Sequence, residues 1–241
     1  MRDIMVKKKG GGKNLSWAIR MERRGLWTRN AVVGVAVHGE SLRRFSGIEY
    51  RRWDPRRSKL AAGILRTNND PSILLPDVGS NALYLGAGHG TTVSHLHDHL
   101  CGEDNSQGGR IVAIDIAPRC MRDLIHLSKS RKGLVPVLGD ARKYTVWGAL
   151  IPQKVRWIFQ DVAQAAQVEI FLSACERFLA RGGIALLSLK AASERFSGDD
   201  EETVFTKVGN TISASGFELL EAISLTGFEE QHTLFVAKKP N

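Results

Sequence analysis

The stretch 82–93 constrains the fold more than any other part of the sequence. It reads ALYLGAGHGTTV, which is a short apolar run, three alternating glycines and two threonines that open an apolar-periodic segment. This order is typical of a buried strand, a tight turn and the start of a helix. The glycines allow a ligand to approach the backbone closely, and a helix N-terminus presents free amide donors. The stretch therefore predicts an α/β domain with a candidate ligand site at this turn.

The spacing of the glycines distinguishes two classes of cofactor. The dinucleotide fingerprint G-x-G-x-x-G requires a glycine where this chain has Thr91. The spacing G-x-G-x-G is instead usual in methyltransferases that use S-adenosylmethionine (SAM). On this motif alone, a strand-helix turn without any ligand is an equally good interpretation.

Strand and helix patterns alternate from residue 56 to the C-terminus. The predicted strands are residues 82–85, 110–115, 134–138, 155–159, 184–189, 217–223 and 233–237. The predicted helices are residues 56–65, a helix from Thr91, 118–130, 164–179 (closed by the glycines at 182 and 183) and 199–213. This alternation predicts a doubly wound, mostly parallel, seven-stranded Rossmann-like sheet.

The first 55 residues have a different pattern. Residues 1–14 are Lys- and Gly-rich, and we expect disorder at the start of this stretch. Short β-like runs follow at 17–19, 31–37 and 48–53. Glycines separate these runs. We therefore predict two domains: a small, basic, β-rich N-terminal domain over residues 1–55 and an α/β domain over residues 56–241.

Charge is distributed unevenly along the chain. Residues 1–59 contain 16 Lys and Arg against 5 Asp and Glu, whereas the remaining residues contain 18 against 20. A basic segment on a nearly neutral body favours a polyanionic partner, although a solvated basic face or an acidic protein partner would give the same pattern. Six arginines are candidates to contact RNA phosphates, and Tyr50 and Trp53, which lie between them in the sequence, are candidates to stack on bases. The same residues could instead contact a scaffold protein. The arginines are Arg43, Arg44, Arg51, Arg52, Arg56 and Arg57.

Other features exclude several classes of protein. No stretch approaches the roughly 18 apolar residues of a membrane span, and the basic start is not followed by the apolar segment of a signal peptide. Cys101, Cys120 and Cys175 are too widely spaced to fit a metal motif, so we expect reduced thiols and no metal.

Polar residues follow each of the central strands. They are the turn from Gly86 to Thr92, then Asp115, Asp140, Asp161 and Lys190. Because the carboxyl ends of parallel strands meet at one edge of the sheet, these residues should surround one pocket. A carboxylate in the position of Asp115 can accept both hydroxyls of a ribose, so the arrangement favours a nucleoside-like ligand.

From residue 53 onward the chain resembles the fibrillarin family, in its archaeal form. The resemblance is carried by the strings WDPRRSKLAA (53–62), TTVSH (91–95), APR (117–119), DAR (140–142), DVAQ (161–164) and SLKA (188–191). The family usually has two serines where this chain has Gly88 and His89. The resemblance implies a SAM-dependent ribose 2′-O-methyltransferase of rRNA and tRNA.

The resemblance also assigns residues. It implies a SAM-binding pocket formed by Gly86, Gly88, Gly90, Thr91, Thr92, Asp115, Ile116, Asp140, Ala141, Asp161, Val162, Ala163 and Gln164. It implies a catalytic group of Lys59, Asp161, Lys190 and His232, with Glu229 as the alternative to His232. Lys190 is the candidate proton acceptor for the 2′-hydroxyl, which is a poor nucleophile until its proton is removed.

The partners implied by the family are a box C/D guide RNA, the substrate rRNA or tRNA, a Nop-domain scaffold protein and a kink-turn-binding ribosomal-type protein. The expected location is the cytoplasm for an archaeal-type protein, or the nucleolus for a eukaryotic one. Two alternatives remain open: a methyltransferase that acts on a protein or small molecule, and a non-catalytic subunit of an RNA particle.

Overall fold

A computed structural model describes residues 12–23, 25–151, 153–194 and 200–241. Most of the predicted disordered start, residues 1–11, and position 199 of the last predicted helix lie outside the described residues. Residues 13 and 14, at the end of the Lys- and Gly-rich stretch, form a short strand.

The first sheet contains five antiparallel strands in the order β1-β2-β3-β5-β4. They are β1 (Lys13–Asn14), β2 (Ile19–Glu22), β3 (Gly25–Arg29), β4 (Leu42–Phe45) and β5 (Ile48–Trp53). The structure thus confirms a β-rich N-terminal segment, and β5 has the predicted bounds.

The predicted strand at 31–37 is wrong, because side chains take over the backbone hydrogen bonds there. Asn30 donates to the Val35 carbonyl at 3.2 Å and accepts from the Val32 amide at 3.2 Å. Glu49 accepts from the Gly34 amide at 2.7 Å, and Gly34 has a positive φ of 81°. Local side-chain bonds of this kind compete with sheet formation.

The second sheet has seven strands in the order β11-β12-β10-β9-β6-β7-β8. They are β6 (Asn81–Leu85), β7 (Arg110–Asp115), β8 (Leu134–Leu138), β9 (Val155–Gln160), β10 (Leu179–Lys190), β11 (Glu218–Ser224) and β12 (His232–Lys238). The five strands β10, β9, β6, β7 and β8 pair in parallel with their neighbours in this order. Strand β12 pairs antiparallel with both β10 and β11. This confirms the predicted seven-stranded, mostly parallel sheet.

Helices cover both faces of this sheet, so it is doubly wound. They are α1 (Lys59–Arg66), α2 (Thr91–Leu100), α3 (Pro118–Ser128), α4 (Tyr144–Trp147), α5 (Gln167–Phe178), α6 (Ala191–Glu194) and α7 (Glu201–Ala214). Apolar residues of α1, α2 and α3 form one buried cluster with one side of the strands. Those of α5 and α7 form a second cluster with the other side.

The predicted glycine end of α5 is wrong. The helix ends at Phe178, and Gly182 and Gly183 lie within β10, which has an irregular register between Leu179 and Ile184. The Lys239 ammonium covers the helix end instead, because it donates to the carbonyls of Cys175, Glu176 and Leu179 at 3.0–3.1 Å. A lysine is well suited to this place, since the C-terminus of a helix is partially negative.

A buried ionic cluster joins the first sheet to α2. Asp98 of α2 accepts from Arg51 of β5 at 2.6 and 3.0 Å and from Arg131 at 3.0 Å. His97 lies 3.3 Å from the same carboxylate. Both sheets also contribute to one apolar cluster, so the domain boundary near residue 55 stays a prediction.

The three cysteines are unpaired, with Cys101 and Cys175 buried. Within the described residues, no helix is long and apolar enough to cross a bilayer.

Candidate active site

The glycine turn connects β6 to α2 and has the expected backbone. Gly86, Gly88 and Gly90 have positive φ angles of 81°, 57° and 97°. A Cβ atom on Gly86 would collide with the carbonyl oxygen of Asp161. Gly86 therefore allows the ends of β6 and β9 to meet closely, and it must be glycine for both reasons.

Asp115 holds the turn from the neighbouring strand. One of its carboxylate oxygens accepts the Gly88 amide at 2.8 Å, and the other accepts the Ala117 amide at 2.8 Å. A carboxylate has about four acceptor positions, so Asp115 retains capacity for the hydroxyls of a ligand.

A cavity of about 440 Å³ opens beside these groups at the carboxyl edge of the sheet. It is lined by Gly86, Gly88, Ile114, Asp115, Ile116, Ala117, Gly139, Ala141, Asp161, Val162, Ala163 and Gln164. The predicted pocket residues that line it come from the turn and from the ends of β7, β8 and β9. This convergence is what a parallel sheet provides.

Four predicted pocket residues do not line this cavity: Gly90, Thr91, Thr92 and Asp140. Asp140 is engaged by Arg142, whose guanidinium donates at 2.7–3.1 Å, and this pairing lowers the pKa of Asp140 to about 2. The Thr92 hydroxyl donates to the Ser58 hydroxyl at 2.9 Å. Ser58 is not among the predicted site residues, but its position before the apolar run of α1 is typical of a helix N-cap.

Ser58 caps α1 and thereby fixes the helix that carries Lys59. Its hydroxyl accepts the Ala61 amide at 3.2 Å. Lys59 is the first residue of α1, and its ammonium lies 2.9 and 3.1 Å from the two carboxylate oxygens of Asp161. Both side chains are about three-quarters buried, with 24% and 21% exposed. The structure therefore brings together two predicted catalytic residues that are 102 positions apart.

Lys190 and His232 are directly opposite each other in the pairing of β10 with β12. The Lys190 side chain is exposed, and its ammonium has no hydrogen-bond or ion-pair partner within the described part of the chain. The ring of His232 contacts the Glu230 carbonyl at 2.8 Å. Glu229 lies outside β12, in the preceding turn. The register thus favours His232 as the neighbour of Lys190, and the catalytic roles stay predictions.

His89, at the tip of the turn, has a defined partner. Its Nδ1 atom lies 2.7 Å from a carboxylate oxygen of Asp123 in α3. The pair joins the turn to α3 outside the cavity lining, so the histidine extends the turn without filling the pocket.

Three residues predicted as possible RNA contacts are buried instead. Arg51 is enclosed by Asp98 and Glu40, and Trp53 stacks on His95 of α2 with ring centroids 5.0 Å apart. Tyr50 is 7% exposed. Arg43, Arg44, Arg52, Arg56 and Arg57 are exposed. Among the described residues, no group of three or more His, Cys, Asp or Glu side chains is arranged to hold a metal ion.

Comparison with known proteins identifies the family. The fibrillarin family profile matches residues 6–241. The chain belongs to the fibrillarin family. A relative from Thermococcus onnurineus, named a fibrillarin-like rRNA/tRNA 2′-O-methyltransferase, is 41% identical over 213 residues, which cover 88% of this chain and 89% of the relative.

Two fibrillarin crystal structures have folds similar to that of this chain. Aeropyrum pernix fibrillarin, crystallised with natively bound S-adenosyl-L-methionine, is 34% identical over 88% of each chain with a TM-score of 0.76. A fibrillarin from a fibrillarin/Nop5p complex is 32% identical, covers 94% of this chain and 100% of its own, and has a TM-score of 0.80.

Proposed function

We propose that this fibrillarin-family chain is a SAM-dependent methyltransferase that modifies the ribose 2′-hydroxyl of rRNA and tRNA. The observation that carries the proposal is the Lys59–Asp161 ion pair, because Asp161 also lines the cavity. One carboxylate therefore belongs both to the proposed cofactor pocket and to the candidate catalytic group. Membership of the family and the 41% identical Thermococcus relative support the reaction and the RNA substrate.

The residues at the cavity fit SAM. The Asp115 carboxylate suits the two hydroxyls of its ribose. The Oε1 atom of Gln164 is buried and has no hydrogen-bond partner among the described residues, so it is available to a ligand donor. A buried acceptor without a partner is costly in the absence of a ligand. When bound, SAM supplies an electrophilic methyl group, and Asp115, Gln164 and the turn would hold it.

The side chains around the cavity have separate roles in the proposed reaction. The Lys59–Asp161 pair fixes a carboxylate at the border of the cavity, and its burial keeps the geometry of that carboxylate constant. Lys190 ends the strand beside β9, so its free amine can reach a hydroxyl placed at this edge. His232 lies across from Lys190 and would orient it.

We further propose that the protein works in a box C/D particle with a guide RNA, a Nop-domain scaffold and a kink-turn-binding protein, in the cytoplasm. The similar fibrillarin from the complex with Nop5p supports a Nop-domain partner. The basic residues before position 60 suit an assembly built on RNA. The described part of the chain matches none of the base-reading motifs, so target choice is assigned to the guide.

A methylation assay tests the proposal. The chain is mixed with tritiated SAM, a box C/D guide RNA, a complementary target and the two partner proteins, and label on ribose is measured. Label at one guide-specified 2′-hydroxyl is expected, and a target already methylated at that position is the control. Label on protein would favour the alternative substrate class, and SAM binding without any transfer would favour a non-catalytic subunit.

A further inference from the structure

Two exposed arginines, Arg56 and Arg57, precede the helix that carries Lys59. An extended chain spans at most about 3.6 Å per residue, so the Cα atoms of Arg57 and Lys59 are within about 7 Å. The Lys59 ammonium in turn contacts Asp161 at the border of the cavity. Even with both side chains fully extended, an anion bound by Arg57 would therefore lie within a few nucleotides of the reacting ribose.

The first sheet holds Arg57 in place. A guanidinium nitrogen of Arg57 donates to the His38 carbonyl at 3.3 Å. The loop that contains His38 is fixed by Glu40, which accepts the amides of Val37 at 2.9 Å and His38 at 2.7 Å. Glu40 is bound in turn by the buried Arg51. Arg57 is thus connected through three contacts to the ionic core of the protein.

The positive charge of these arginines is not neutralised. Arg20, Arg51, Arg122, Arg131, Arg142 and Arg156 each form an ion pair with a carboxylate. In the described part of the chain, neither Arg56 nor Arg57 has a carboxylate within salt-bridge distance. Asp54, the acid nearest in sequence, accepts the backbone amide of Arg56 at 3.0 Å.

The neighbouring imidazole does not add to this charge. Burial and then the Arg57 charge lower the pKa of His38, and the weaker effects of Arg51 and His89 act in the same direction. Only Glu40 opposes them. His38 is therefore neutral at neutral pH, and the local potential is set by the arginines.

We propose that Arg56 and Arg57 form a binding site for a phosphate of the RNA strand that carries the target ribose. This inference rests on the proposed function. A guanidinium presents a planar fork of donors that matches phosphate oxygens, and it stays charged at all working pH values. Every ribose in RNA is flanked by two phosphates, so an anion site beside Lys59 positions the strand at the right distance from the reacting hydroxyl.

The first experiment measures kcat and KM for the target RNA in the assembled particle. Arg57→Gln is expected to raise KM about tenfold, as for loss of a hydrogen bond to a charged group. It should also reduce the slope of log KM against log salt concentration by about 1, which is the contribution of one phosphate contact. Arg156→Gln is the matched control. It also removes one arginine charge, from an exposed pair with Asp77 at the opposite edge of the sheet. It should leave both KM and the salt slope unchanged.

The same variants are checked for SAM affinity and for binding to the scaffold protein. Both should equal those of the wild type, because the site is assigned to RNA alone. Loss of scaffold binding in Arg57→Gln would overturn the proposal and make this surface a protein interface. Loss of SAM affinity would overturn it too, since the arginine would then support the fold of the pocket. Arg56→Gln provides a second test that leaves the Arg57–His38 contact in place.

A second experiment identifies the phosphate. Target RNAs carry a single neutral methylphosphonate at each phosphate near the modified nucleotide. One position should raise KM for the wild type about as much as Arg57→Gln does, and should have no further effect in Arg57→Gln. If the methylphosphonate and Arg57→Gln raise KM additively at every position tested, the proposed phosphate site is wrong. An inactive wild-type particle would instead contradict the proposed function.

Discussion

The Thr92 hydroxyl donates a 2.9 Å hydrogen bond to the Ser58 hydroxyl, and both side chains are almost fully buried. Thr92 lies in the first turn of α2, directly after the glycine turn, and Ser58 caps the helix that begins with Lys59. The bond therefore joins the backbone that forms the pocket to the helix that positions the Lys59–Asp161 pair. Thr92 was also predicted to bind the cofactor, and that role stays a prediction beside this hydrogen bond.

Thr92→Val should lower methyl transfer more than it lowers SAM affinity. Valine keeps the shape but removes the hydrogen bond, which costs about 1 kcal/mol of stability and lets α1 shift. A small displacement of a positioning group can lower kcat by up to about 100-fold. Calorimetric SAM affinity and single-turnover rates would be measured together. Thr92→Ser retains the hydroxyl and should restore most of the rate; an equally slow Thr92→Ser would contradict the link.

Asp115→Asn should weaken SAM binding at least tenfold. The amide group is isosteric, but one of its ends is a donor, so it cannot accept both the Gly88 and Ala117 amides and also two ligand hydroxyls. Isothermal titration calorimetry measures the effect. Asp77→Asn, in an exposed pair far from the cavity, is the matched control. Unchanged affinity in Asp115→Asn would remove this carboxylate from the pocket.

The strands around the site could be predicted from sequence because each is a short apolar run that ends in a polar residue. β7 and β8 have the predicted bounds, and Asp115 follows from the end of β7. The approach of Lys59 to Asp161 was implied by the family strings alone. No local pattern encodes a contact between residues 102 positions apart.

The first sheet was harder to predict because charged and aromatic residues of β5 are buried in it. Arg51 and Trp53 have the composition of an RNA-binding strand, and their partners, Asp98 and His95, lie on α2 more than 40 positions away. These partners explain why α2 buries His95 and Asp98. A sequence pattern cannot separate a buried ionic contact from a solvated basic face.

Asp98→Asn should destabilise the fold by about 3–5 kcal/mol at pH 7, because it leaves the buried Arg131 without a counter-charge and leaves Arg51 with Glu40 alone. Burial alone would raise the pKa of Asp98, but Arg51, the His97 hydrogen bond and Arg131 outweigh burial and hold that pKa far below its ordinary value. Urea unfolding measures the difference, and Asp77→Asn should cost less than about 1 kcal/mol.

The same group predicts the sign of a pH effect. The folded-state pKa of Asp98 is depressed, so its stabilisation is fully present above the unfolded pKa of about 4 and is lost as the pH falls below it. The gap in unfolding free energy between wild type and Asp98→Asn should therefore narrow between pH 5 and about pH 3. A gap that stays constant over that range would show that folding does not lower the pKa of Asp98.

His232→Ala and Glu229→Ala should separate the two candidates for the fourth catalytic residue. His232 pairs with Lys190 in the register of β10 and β12, whereas Glu229 lies in the preceding turn. We expect His232→Ala to reduce kcat about tenfold or more and Glu229→Ala to have a smaller effect. Single-turnover methylation in the assembled particle is the measurement. The reverse order would assign the role to Glu229.

Lys190→Ala should reduce methyl transfer by about 10²–10⁴-fold, the range for loss of a general base. SAM affinity and particle assembly should be unchanged, because Lys190 is absent from the cavity lining and has no partner among the described residues. Lys190→Arg is the decisive companion. It keeps a positive charge but cannot release a proton, so it should be as slow as Lys190→Ala if Lys190 accepts the 2′-hydroxyl proton. Substantial activity in Lys190→Arg would instead assign Lys190 an electrostatic role toward the RNA.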